Sequence, residues 1–168
     1  MPYLMLLRHA KSDWNQPVDS DWQRPLNNRG VRSARAVGAF VARHRLVPDL
    51  VLVSPAIRTA TTAELAVEAG GWNTRISKEP LLYGAAPSDV ISLAREVPNQ
   101  VNRLMVVGHE PTMSGTLELI CGTRLRVLTA TLISINLRNT AWENLRRGVG
   151  EPELYIRPRL LPPYKDPE

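Results

Sequence analysis

The chain has 168 residues, 43% hydrophobic and 22% charged, which suits one folded domain with a sizeable core and excludes a disordered composition. Its 21 basic and 16 acidic residues leave a net charge of +5, but the basic residues are dispersed and aromatics reach only 5%, so nucleic acid is disfavoured against an anionic small molecule or an acidic protein surface. No apolar stretch reaches the ~18 residues that cross a bilayer. Three histidines and the single Cys121 lack metal-ligand spacing or an internal disulfide partner, and neither a metal nor another cofactor is expected.

The chain opens on the apolar run Leu4-Met5-Leu6-Leu7, with no basic leader or cleavage site before it, and a cytoplasmic protein is the expectation. Such a short, wholly apolar run reads as a strand buried on both faces, as in a parallel sheet. It stops at Arg8-His9-Ala10-Lys11-Ser12, and a polar loop with Asn15, Trp14 and Trp22 follows. Residues 29–45 carry Val31, Ala34, Val37, Phe40 and Val41 at broadly helical spacing, with Asn27 or Asn28 as cap. A second buried strand, 50–53, runs into Ser54-Pro55-Ala56-Ile57-Arg58, where Pro55 suits the first turn of a helix over 56–69.

A short strand near 74–78, a helix near 88–96 and a strand near 103–107 come next, the last ending at Gly108-His109-Glu110-Pro111 before a helix near 112–121. Cys121 falls in that apolar helix and reads as a buried spectator. Residues 130–137 alternate like a half-exposed edge strand. The βα alternation predicts an α/β fold, a three-layer α/β/α sandwich around a mainly parallel sheet. The expected domain covers residues 1–147. Residues 148–168, with five prolines, read as an extended tail that carries at most a short strand near 154–156; Arg157 and Arg159 in it read as solvated charges, with contact to a partner as the alternative.

Ligands of open parallel sheets bind beyond the carboxyl ends of the strands. Three strand ends here deliver Arg8, His9, Arg58 and His109 to that edge. An imidazole acts as a nucleophile there if guanidiniums hold an anion in line with it, and phosphate is the natural anion for such donors. A transferring phosphoryl group spreads negative charge over its equatorial oxygens, which fixed cationic donors stabilise. His9 must be neutral to attack, and the surrounding positive charge favours that form. His109 is more useful protonated, donating to a phosphate oxygen.

In the order, spacing and strand context of these motifs, from residue 3 to about 137, the chain resembles the histidine phosphatase superfamily. The Arg-His-Ala-Lys-Ser and Gly-His-Glu-Pro forms resemble its small phosphohistidine phosphatases of the SixA type. The resemblance implies that His9 is phosphorylated, that Arg8, Arg58 and His109 complete the phosphate pocket, and that Asn15 adds a hydrogen bond to phosphate. Asn15 reads equally well as an Asx-turn residue. Ser12 is the weaker phosphate-binding candidate and fits a turn or helix cap, while Lys11 adds charge near the pocket mouth.

Mutases and many monoesterases of the superfamily carry a glutamate general acid after the middle strand, where this chain reads Pro80-Leu81-Leu82-Tyr83-Gly84-Ala85-Ala86. An alkoxide leaves poorly unless protonated, whereas phosphohistidine breaks a labile P–N bond. The first expectation is therefore a protein phosphohistidine phosphatase acting on a phosphorylated protein. The second is a phosphatase of a small substrate such as a sugar phosphate, nucleotide or polyphosphate, with Asp13, Glu110 or Tyr83 as acid. A silent phosphate-binding module is the third.

Overall fold

The computed structural model describes residues 1–167. Six strands form one sheet in the order β3-β2-β4-β1-β5-β6, from β1 (Tyr3–Arg8), β2 (Leu50–Val53), β3 (Arg75–Lys78), β4 (Arg103–Gly108), β5 (Leu132–Asn136) and β6 (Glu151–Ile156). The first four in that order run parallel; β5 is antiparallel to β1, and β6 to β5. The helices are α1 (Asn28–Arg43), α2 (Ile57–Gly70), α3 (Pro87–Arg95) and α4 (Thr112–Cys121).

Strand side chains alternate between faces, so one apolar run supplies two cores. Leu4, Leu6, Leu104, Val106 and Ile133 pack with Val90 of α3 and Met113 and Leu117 of α4. Met5, Leu7, Met105, Val107 and Leu132 pack with Ala34 and Val37 of α1 and Ala63 and Ala66 of α2. This is the α/β/α sandwich with a mainly parallel sheet. Asn27 caps α1, its side chain accepting from the Gly30 amide at 2.8 Å. At Gly38 a Cβ would overlap the Ala66 carbonyl, so α1 and α2 touch backbone to backbone.

Three expectations are corrected. β5 is an internal strand buried along nearly its whole length, because β6 covers its outer edge; its alternation reflects Ser134, a polar residue tolerated in the core. β6 begins at Glu151 and is the true edge on that side of the sheet, with Pro152 where an edge strand tolerates it. α2 starts at Ile57 with Ala56 as cap, leaving Pro55 outside. Cys121 ends α4 half-buried, and burial pushes its thiol up to about 11. No helix of the described residues is long and apolar enough to cross a membrane.

Candidate active site

The parallel registers set Arg8 beside Gly108 and Val53 beside Val107, so β1, β2 and β4 end on one edge. The residues that follow, His9, Ser54 and His109, converge there. Arg58 joins them from the first turn of α2. The Ala10 amide donates to the Thr62 hydroxyl at 2.9 Å, and that hydroxyl donates to the Arg58 carbonyl at 2.6 Å, which ties the end of β1 to the turn that carries Arg58.

His9 is 7% exposed. Its Nδ1 lies 2.8 Å from the Ala10 carbonyl; a carbonyl only accepts, so Nδ1 carries the hydrogen and Nε2 keeps its lone pair. Burial is the main force lowering His9 to about 3, opposed by the Ala10 hydrogen bond and assisted by His109, Arg58 and Arg8. The charges named from sequence thus act second to desolvation. The His9 and His109 rings lie 5.4 Å apart, tilted by 56°.

His109 Nε2 is 2.8 Å from Ser54 Oγ. Burial and then Arg58 push it down to about 4, against Asp21. His109 is consequently neutral at neutral pH while no anion is bound. A proton there would add a buried charge next to Arg58, and only an arriving anion offsets that.

Arg58 is 5% exposed. Its Nη1 donates to the Asp21 carbonyl and its Nη2 to Asp21 Oδ2, both at 2.8 Å. Arg8 donates from Nη1 to the Val127 carbonyl at 3.0 Å. Burial lowers the Arg8 pKa, partly offset by Glu110. Among the described residues four buried side-chain polar atoms have no partner, and two of them are the Nε groups of Arg8 and Arg58. Orphaned donors of this kind are uncommon in native structures.

Asp21 is the residue that sequence reasoning missed. Besides Arg58, its carboxylate accepts from Arg24 Nη2 at 2.9 Å and from the Tyr83 hydroxyl at 3.1 Å. Desolvation works to raise this carboxyl, but hydrogen bonds from Arg24 and Arg58 hold it at about 2. Arg24 in turn donates to Ser12 Oγ. Ser12 therefore stands behind the site, three hydrogen bonds from Arg58 by way of Arg24 and Asp21. Only the i,i+3 pairing of Asp21 with Arg24 was visible in the sequence.

Asn15 lies on an exposed loop. The turn there is closed by Asp13, whose Oδ1 accepts from the Asn15 amide at 2.8 Å, and no hydrogen bond joins the Asn15 side chain to the cluster among the described residues. Lys11 is exposed. Of the three acid candidates, Asp13 serves that turn and Glu110 Oε1 accepts from the Ser114 amide at 2.8 Å. Glu110 acts on the cluster through its charge on Arg8, and Tyr83 meets it edge-on to His109 at 5.7 Å, lying 5.4 Å from Trp22.

The fold thus sets a neutral buried imidazole, a second imidazole and two arginines at one edge of the parallel part of an α/β sheet. The model of the histidine phosphatase superfamily (branch 1) matches residues 4–83. A structure from Agrobacterium tumefaciens assigned as phosphohistidine phosphatase SixA superposes with a TM-score of 0.80 at 28% identity, over 94% of this chain and 99% of that one. A structure of the protein histidine phosphatase SixA with tungstate gives 0.82 at 21% identity, over 94% and 98%, a likeness of fold. An uncharacterized protein of Mycobacterium tuberculosis is 39% identical over 108 residues, 64% of this chain and 65% of its own length; the match thus spans just under two thirds of that relative. Residues 4–83 thus match the histidine phosphatase superfamily, and the fold is similar to that of the SixA-type structures.

Proposed function

We propose that the chain is a phosphatase that works through a phosphohistidine on His9, with protein phosphohistidine as its substrate. The observation that carries this is the pairing of a tautomer-fixed, neutral His9 with two buried arginines whose Nε donors lack partners. Nε2 of His9 attacks phosphorus and the leaving group departs with the transferred bond's electrons. Arg8 and Arg58 hold the equatorial oxygens through the transfer. Water then attacks the phosphorus of phospho-His9, giving orthophosphate and restoring the imidazole.

The stretch 80–86, where mutases of the superfamily carry a glutamate acid, holds no carboxylate, which favours the labile P–N bond as the one cleaved. The similarity to SixA-type proteins points the same way. A second reading, a small-molecule phosphomonoesterase, is favoured by one contact, the Tyr83 hydroxyl on Asp21 beside His109.

The test is rapid-quench labelling with radioactive substrate. Wild type should accumulate acid-labile phosphohistidine, and His9→Ala should lose the label and several powers of ten in turnover. Label on another residue, or full activity in His9→Ala, refutes the reading. Turnover of a phosphohistidine protein set against a panel of monoesters separates the two substrate classes.

A further inference from the structure

On the flank of the catalytic edge, the loop before β5 and the turn after β6 face the first turn of α1. Arg8, Lys11, Arg29, Arg157 and Arg159 line a pocket of about 280 Å³ there. Among the described residues no carboxylate lines it, and Arg8 is the one residue it shares with the cluster of His9, Arg58 and His109.

Most arginines of the chain, the four in this pocket among them, form no ion pair with a carboxylate among the described residues. Arg24, Arg58, Arg124 and Arg138 form ion pairs with carboxylates; none of the five does so among the described residues. Two of the five are oriented by neutral groups instead. Arg8 is tethered by the Val127 carbonyl. Arg157 donates from Nε to the Tyr155 hydroxyl at 3.2 Å and lies 5.8 Å from that ring, while the same hydroxyl donates to the Arg126 carbonyl at 2.5 Å. Neutral tethers fix where a guanidinium points and leave its charge available.

Size and charge together select the ligand. Pockets for drug-sized molecules run from about 300 to 1,000 Å³, so this one suits a compact ligand. Like charges gathered without a counter-charge repel, and a ligand of high negative charge density relieves this. Planar arginine forks match phosphate oxygens two at a time.

We propose that this pocket is a second anion site, separate from the phosphoryl pocket, which binds a compact condensed-phosphate group through Lys11, Arg29, Arg157 and Arg159, with Arg8 as the wall common to both. It depends on charge and shape alone and stands whether or not the phosphatase reading does.

Calorimetric titration of the full chain at low ionic strength tests it, with inorganic tripolyphosphate and ATP as probes. Three proteins are compared: wild type, R29A/R159A, and Arg58→Ala, with His109→Ala in its place should that variant not fold. Arg29 and Arg159 are exposed, so their removal should leave the thermal melt unchanged. Tripolyphosphate should bind wild type and Arg58→Ala alike, bind R29A/R159A at least about tenfold more weakly, and bind less as salt rises. Equal affinity for ATP assigns the site to the phosphate chain itself, and much tighter binding of ATP assigns it to a nucleotide. Binding that is lost in Arg58→Ala and untouched in R29A/R159A places the anion in the phosphoryl pocket and overturns the proposal, as does the absence of binding to wild type.

Discussion

Replacing Asp21 with alanine removes the carboxylate that aims Arg58. The guanidinium is nearly sealed from solvent, its side chain 6% exposed, whereas the carboxylate is 47% exposed. Stripping one partner from a fully buried pair costs about 3–5 kcal/mol, and losing an exposed pair costs about 1 kcal/mol or less. With one partner in and one half out, and with the Asp21 carbonyl still accepting from Arg58 Nη1, the loss should be about 1–2 kcal/mol. In a domain of this size that lowers the melting temperature by about 3–8 °C.

The activity effect should be larger than the stability effect. Arg58 would lose the bond that sets its plane, and a misplacement of about 1 Å in a positioning group costs about a hundredfold in rate. Asp21→Ala should therefore lower kcat on an aryl phosphate by about a hundredfold and weaken tungstate binding. The acid dependence fixes the cause. The Asp21 carboxyl is held near 2 against an ordinary 3.8, so its contribution is present above the unfolded value and is lost as pH falls toward the folded one. The melting gap between wild type and variant should close between about pH 4 and pH 2. Faster turnover or tighter tungstate in Asp21→Ala would refute the reasoning, because it would make Asp21 a competitor of phosphate for Arg58.

Both imidazoles are held neutral, His9 to about 3 and His109 to about 4, so the acid limb of kcat/KM, corrected for substrate ionisation, should lie near or below pH 4; a limb at 6.5 would show an unburied nucleophile. Tyr83→Phe should leave nitrophenyl phosphate turnover nearly unchanged and slow alkyl phosphates by about a hundredfold if the hydroxyl supplies the leaving alcohol's proton. Equal rates on alkyl phosphates in both proteins would remove Tyr83 as the acid. Gly38→Ala forces a methyl into the Ala66 backbone and should cost about 1–3 kcal/mol by overpacking, read as a lower melting temperature with the tungstate affinity of the folded protein preserved.

Strand ends were legible because their signal is local. A run such as Leu4 to Leu7 can only be buried on both faces, and the residue that stops it must emerge at the sheet edge. Arg8, His9, Arg58 and His109 could be placed together without any contact being known. Asp21 could not. Its partner Arg58 is 37 positions away, Tyr83 is 62, and an aspartate in a polar loop looks the same whether it faces solvent or a guanidinium. The misreading of β5 has a related cause. Burial of its outer edge comes from β6, an edge strand carrying Pro152, in a segment whose proline content argued for a tail. Neither alternation nor composition within one segment reports what another segment lays over it.

The charge state of the site was the least legible of all, and it bears most on the chemistry. With both imidazoles neutral, two guanidiniums face a single carboxylate, and three of that carboxylate's four hydrogen bonds come from Arg24 and Tyr83 rather than Arg58. The pocket is thus left cationic by less than the charge of a phosphoryl dianion. A site carrying a full complement of fixed cations would hold a ground-state phosphate, and its product, too well. One that gains a proton on His109 only when the anion arrives reserves part of its attraction for the charged complex and releases it when orthophosphate leaves. Ser54 Oγ fits this role: a hydroxyl donates to a neutral ring nitrogen and accepts from a protonated one at the same 2.8 Å. His109 can therefore change its protonation state in place, while Asp21 keeps Arg58 fixed beside it.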